Sequence, residues 1–174
     1  MLAVSMTGVK TGDRFLQIGC GHGARLGAIA ARVGLSGRAV AVVADEASAA
    51  RAQKGAAQAG VLLDVNVAPP TAPLPYGAGA FDVAVIDDTD RLLSNLTPAD
   101  RTTSVRELFR TLRPGGRLII IAAVPKSGLS GLFAGGPKAP AVNATPALEG
   151  EGFKMVRVLA ERDGLSFLEG VKPR

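Results

Sequence analysis

Asp13-Arg14-Phe15-Leu16-Gln17-Ile18-Gly19-Cys20-Gly21-His22-Gly23 reads as a buried strand that breaks into a glycine turn and opens directly into a helix. Phe15, Leu16 and Ile18 supply the apolar run. Gly19, Gly21 and Gly23 supply backbone that turns sharply with no Cβ in the way. Such a turn lets a ligand approach the main chain, with the N–H groups of the following helix pointing at any negative group it carries. A plain strand-to-helix turn is the alternative, but three glycines in five residues exceed what a turn needs.

Outward from that turn the chain alternates between strands and helices. Ala24–Val33 carries Leu26, Ile29, Ala30 and Val33 at helical spacing, with Gly34 as a stop. Arg38–Ala44 is a second buried strand closing on Asp45-Glu46, and an alanine-rich helix over Ser48–Ala59 ends at Gly60. A third short strand falls within Val61–Ala68, before the irregular Pro69-Pro70-Thr71-Ala72-Pro73. Phe81–Ile86 is a fourth strand, running into Asp87-Asp88-Thr89-Asp90. Thr97 N-caps a helix with Pro98 at its first position, placing Val105, Leu108, Phe109 and Leu112 on one face. Arg113-Pro114-Gly115-Gly116 ends that helix, and Arg117–Ala123 is a strongly apolar fifth strand.

Residues 125–145 change character, with Gly, Ala, Ser and Pro around Leu129, Leu132 and Phe133. A stretch this long inside a compact domain is a flexible segment, serving either as a lid or as a surface loop. Lys154–Arg162 and Leu165–Val171 flank the turn pair Asp163-Gly164 and form a hairpin. The resulting architecture is α/β: one domain over 1–174, a doubly wound, mostly parallel sheet finishing in an antiparallel hairpin.

Composition narrows the function classes. The chain has 174 residues, 47% hydrophobic and 20% charged, as an ordinary soluble globular domain does. No apolar stretch reaches the roughly 18 residues of a membrane span, and Met1–Lys10 lacks a secretory pattern, so a cytoplasmic protein is expected. A single cysteine excludes an internal disulfide and a cysteine-rich zinc site. The net charge of +5 is spread over scattered basic residues with few aromatics, which disfavours a nucleic-acid module.

The order of motifs resembles class I S-adenosylmethionine-dependent methyltransferases, closest to the branch that includes quinone-biosynthesis enzymes. Gln17-Ile18-Gly19-Cys20-Gly21-His22-Gly23 looks like the first motif of that family. Asp45 follows the second strand, Leu74-Pro75-Tyr76 precedes Phe81-Asp82-Val83, and Arg106 to Leu118 resembles the junction of helix and fifth strand. Gly152-Phe153 precedes the terminal hairpin, which ends in Lys172-Pro173. The glycine turn alone also fits a dinucleotide fingerprint, Gly19-x-Gly21-x-x-Ala24. The Leu-Arg-Pro-Gly-Gly junction and the closing hairpin favour the methyltransferase form of the Rossmann-like fold.

The resemblance implies S-adenosylmethionine as cofactor, bound by Gln17, Gly19, Cys20, Gly21, Gly23, Asp45, Glu46 and Asp87. Asp45, ahead of Glu46, would accept hydrogen bonds from the ribose hydroxyls; a helix N-cap is its alternative role. The acceptor would be a small molecule or a protein-bound group. No residue is assigned as catalytic, and the candidates are His22, Asp87 and Asp88. With Asp90, the last two form an acidic loop that could act as a base, bind a metal or simply shape a turn; no metal is assigned. Gln17 stands where the family has Asp or Glu, so the cofactor's ammonium loses a charge partner there. No carboxylate lies between Asp64 and Asp82, where an adenine-contacting acid is expected, and only a dozen residues precede strand one. These departures leave open a second reading, a catalytically silent methyltransferase-fold protein that acts by binding a partner. A Rossmann oxidoreductase is a third.

Overall fold

The computed structural model describes residues 2–124 and 143–174. In chain order the elements are α1 (Leu2–Thr7), β1 (Arg14–Ile18), α2 (Ala24–Ala30), β2 (Arg38–Val43), α3 (Glu46–Ala59), β3 (Asp64–Val67), β4 (Phe81–Asp88), α4 (Pro98–Thr111), β5 (Leu112–Ala123), α5 (Thr145–Gly150), β6 (Lys154–Arg162) and β7 (Leu165–Val171). They form one seven-stranded sheet in the order β3-β2-β1-β4-β5-β7-β6. The first five of these strands are parallel, and β7 and β6 close the sheet antiparallel. This is the Rossmann-like methyltransferase fold.

Strand alternation divides the core into two layers. Phe15, Ala41 and Val85 face α2 and α3, packing on Leu26, Ile29 and Ala52. Leu16, Ile18, Val42 and Ile86 face the other way, packing on Val105, Leu108 and Leu148 of α4 and α5. The central strands are therefore buried on both faces, which is why they read as nearly continuous apolar runs. Among the described residues no helix is long and apolar enough to cross a membrane.

Several boundaries differ from the sequence reading, each for a physical reason. The helix expected to reach Val33 ends at Ala30. Its last turn tightens, with Arg32 N donating to the Ile29 carbonyl and Val33 N to that of Ala30, before Gly34 turns left-handed at φ 67°. β4 runs two residues past Ile86, so Asp87 and Asp88 belong to the strand and are buried. The short helix α5, with a proline in its first turn, follows directly on the 125–145 segment, where the sequence reading places no helix. The proposed lid side chains Leu129, Leu132 and Phe133 lie outside the described residues.

No helix connects β3 to β4. The proline-rich stretch between them is instead held by α4. Ser104 Oγ donates to the Pro70 carbonyl, Leu74 N donates to Glu107, and Arg110 donates to the carbonyls of Leu74 and Tyr76. Two motifs that look separate in sequence, Leu74-Pro75-Tyr76 and Glu107–Arg110, are thus one hydrogen-bonded unit.

Asp82 plays a similar clamping role at the opposite edge. It accepts from the backbone and guanidinium of Arg14 on β1 and from Arg113 on β5. Arg14 is the main cause that holds its carboxyl well below the usual range. A depressed folded pKa contributes stability that is present above about pH 4 and lost as pH falls further. Asp82→Asn should cost about 1.5–3 kcal/mol near neutral pH in urea unfolding. The gap from the unaltered chain should close as the titration is repeated at progressively more acidic pH.

Candidate functional site

A cavity of about 320 Å3 opens at the carboxyl ends of β1, β2 and β4, with the Gly19–Gly21 backbone along one side and Asp45, Ser48 and Arg51 along another. This is the crevice where open α/β sheets place their ligands. A larger cavity, about 490 Å3, lies at the opposite ends of β2 and β3. Its lining is mainly Ala, Val, Leu and Gly, and its two charged side chains, Arg38 and Asp64, are paired with each other. It lacks converging polar groups, so chemistry belongs to the smaller crevice.

The glycine turn is shaped by the protein around it. Gly19 has φ 77°, and a Cβ there would lie 2.8 Å from the Asp87 carbonyl. A Cβ on Gly21 would lie 3.1 Å from Thr89 Oγ1 and 3.3 Å from Asp87 Oδ2. Gly23, at φ 84°, would drive a Cβ into the Arg51 carbonyl of α3. Close packing thus requires these glycines, against backbone at Gly19 and Gly23 and against the Asp87 and Thr89 side chains at Gly21. Gly19 and Gly21 line the crevice, while Gly23 is taken up by the contact of α2 with α3.

Gln17 is fully buried. Its Nε2 donates to the Gly19 carbonyl at 3.0 Å, and its Oε1 has no partner among the described residues. Gln17 thus supports the turn from beneath and does not line the crevice. Cys20 lines it, with Sγ donating to the Ser48 carbonyl at 3.3 Å. Burial pushes its thiol pKa up, against the charge of nearby Arg51. Asp45 is the N-cap of α3, its Oδ1 accepting from Ser48 N at 2.7 Å. That bond holds its pKa below the ordinary value, so the exposed carboxylate is ionised at neutral pH. Oδ2 accepts no hydrogen bond from the described residues and remains available. Glu46 and His22 are exposed and lie outside the crevice lining.

The acidic cluster after β4 proves to be three different things, because the strand continues through its first two members. Asp87 is buried, accepting from Arg25 Nη1 at 2.6 Å and from Thr89 Oγ1 at 2.5 Å. Asp88 points to the other face, accepting from the backbone of Leu93 and Ser94 and from the Ser94 hydroxyl. Asp90 alone is exposed, on the crevice wall. The reading of a solvated acidic loop is corrected accordingly: Asp87 carries an ion pair and Asp88 caps the following turn. Among the described residues no three His, Cys, Asp or Glu side chains gather as a metal site.

Ser48, Arg51, Arg91 and Asn95 line the crevice without having been singled out from the sequence. A signal for two of them was present. Asp45, Ser48 and Arg51 recur every third residue, beside the buried stripe of Ala49, Ala52 and Ala56.

Residues 15–116 match the family described as "Methyltransferase domain". Over 120 residues the chain is 28% identical to a ubiquinone/menaquinone biosynthesis C-methyltransferase of Hydrogenovibrio crunogenus, covering 68% of this chain and 45% of that protein. Over 115 residues it is 32% identical to an uncharacterized 37.1 kDa protein in transposon TN4556 of Streptomyces fradiae, covering 64% of this chain and 30% of that one. The chain spans less than half the length of these curated relatives. Among solved structures, a SAM-dependent methyltransferase from Aquifex aeolicus superposes with a TM-score of 0.77 at 19% identity, covering 98% of this chain and 87% of that one. The [4+2]-cyclase SpnF superposes with a TM-score of 0.70 at 20% identity, covering 99% and 78%.

The surroundings of Gln17 set the effect of restoring an acid there. A carboxylate cannot donate to the Gly19 carbonyl, and it would be buried on the same face as Asp87. Gln17→Glu should therefore lower stability by about 1–3 kcal/mol. Burial raises the new carboxyl's pKa, so the loss should be larger in urea melts at mildly alkaline pH than at mildly acidic pH.

Proposed function

The chain belongs to the methyltransferase-domain family, and from that membership we propose that it transfers a methyl group from S-adenosylmethionine to an acceptor, either a small molecule or a protein-bound group. The observation that carries this reading is the meeting, at the carboxyl ends of β1 and β2, of the crevice-lining Gly19–Gly21 backbone with an ionised Asp45.

The residues present fit the cofactor part by part. The free Oδ2 of Asp45 suits the two ribose hydroxyls, while Oδ1 keeps its capping bond to Ser48. The backbone of Gly19 and Gly21 is open to the sugar and the methionine chain. Pro70 and Leu92 give apolar crevice walls suited to adenine, so that stacking stands in for the missing acid after β3. Pro70 is fixed in that role by the bond from Ser104 to its carbonyl.

Bound there, the cofactor supplies a methyl group on a positively charged sulfur, a leaving group already activated. The chain's own contribution is then to hold the reactants in line and to keep water out. His22 lies outside the crevice, and Asp87 and Asp88 are committed to Arg25 and to the 93–94 backbone. Asp90 is the remaining carboxylate on the acceptor side of the lining and the candidate to take a proton from a protic acceptor. No observation favours a silent scaffold over this reading.

Isothermal titration with S-adenosylhomocysteine tests the proposal, and saturable micromolar binding is expected. Asp45→Ser keeps a good helix cap but removes the charged acceptor, so it should leave the melting temperature nearly unchanged while weakening binding about ten- to a hundred-fold. Absence of binding at millimolar ligand would overturn the reading.

A further inference from the structure

This inference rests on the cofactor reading above and concerns how the amino-acid end of that cofactor is held. Gln17 carries no charge, is buried, and turns its Nε2 to the Gly19 carbonyl. Beneath the turn Gln17 thus offers no charge to a charged group in the crevice. The charge beside the turn comes from α3. Arg51 Nε donates to the Gly21 carbonyl at 3.2 Å, and Nη2 donates to Ser48 Oγ at 2.8 Å. These two bonds fix the guanidinium plane against the turn, on the crevice wall. Two of its N–H groups are used, and Nη1 is uncommitted among the described residues.

We propose that Arg51 binds the carboxylate of the cofactor's methionine moiety, so that this site holds the amino acid by its anionic end. The neighbouring charges are consistent with that assignment. Asp87 is neutralised by Arg25, and Asp45 is turned to its cap and the ribose side. Arg91 also lines the crevice, but its side chain makes no hydrogen bond among the described residues. A guanidinium held by two bonds loses less freedom on binding than one that is not. Arg51 is a binding residue for the amino-acid end and takes no part in a bond-forming step.

Comparing two ligands isolates the contact. S-adenosylhomocysteine carries the carboxylate, whereas 5′-methylthioadenosine shares the nucleoside and sulfur and lacks the amino acid. Calorimetric titration of the unaltered chain should show tighter binding of S-adenosylhomocysteine. Arg51→Gln should erase about ten- to a hundred-fold of that preference while moving methylthioadenosine affinity less than about threefold. Arg51→Lys should restore part of the preference by keeping the charge. Arg91→Gln should leave the preference in place. Equal weakening of both ligands in Arg51→Gln would mean that Arg51 only shapes the turn, and would overturn the proposal. Transfer of the loss to Arg91→Gln would do the same. Binding of methylthioadenosine without preference by the unaltered chain would overturn this inference and leave the nucleoside site standing. Failure of both ligands to bind the unaltered chain would overturn the cofactor reading with it.

Discussion

Three backbones meet at the upper edge of the sheet, and the crevice depends on how closely they approach. The turn after β1 rests on the Asp87 carbonyl at the end of β4 and on the Arg51 carbonyl within α3. Gly55 on α3 in turn sits against the Gly23 carbonyl, and Gly27 against that of Gly55. These are contacts between backbones, which cannot swing aside as a flexible side chain can. The turn is therefore held in one shape by its neighbours before any ligand arrives. A site built this way spends little binding energy on ordering itself.

The same edge carries a buried charge whose placement explains the most conspicuous oddity of the sequence. Arg25 lies in the first turn of α2, where the helix dipole disfavours a cation. Asp87 offsets that, with its carboxylate buried against the guanidinium. Gln17 pairs with Val85, two residues before Asp87 and on the same face of the sheet. A second carboxylate at position 17 would be buried on the same face with no guanidinium bonded to it, since Arg25 is committed to Asp87 and Thr89, and would cost stability. Gln17 and Asp87 are thus two aspects of one solution: the charge sits at the end of β4, and the amide supports the turn.

The fold was largely legible because it rests on periodicity and punctuation. β1, β6 and β7 start and stop where the apolar runs and the Asp163-Gly164 pair place them. Thr97 and Gly60 act as the caps their residue types imply. The site was legible only in outline. Asp87 and Asp88 sit in a run of acids and turn formers, and one sequence cannot show that β4 continues through them. That fact depends on their pairing with Ile121 and Ala122 of β5. The glycine turn was legible as a turn, but the source of its demand for small residues was not, since that lies in α3 and β4, segments distant in sequence. The connection between β3 and β4 was obscure for a related reason. Its order is supplied by side chains of α4, some thirty residues further on.

Those α4 side chains follow a rule that also governs the opposite wall. Ser104, Glu107 and Arg110 recur every third residue and grip the proline-rich stretch, holding Pro70 at the crevice. Asp45, Ser48 and Arg51 recur every third residue and shape the near wall beside the glycine turn. In both helices the adjoining stripe is buried, through Ala49, Ala52 and Ala56 on α3 and Val105 and Leu108 on α4. Each helix therefore does two jobs with two stripes: an apolar stripe fixes it to the sheet, and a polar stripe carries the wall of the crevice. Because the apolar stripe sets the rotation of the helix, the core determines where Arg51 and Ser104 point. Packing on the two faces of the sheet thus aims both walls at the same crevice, and a change in either core layer would be felt there first.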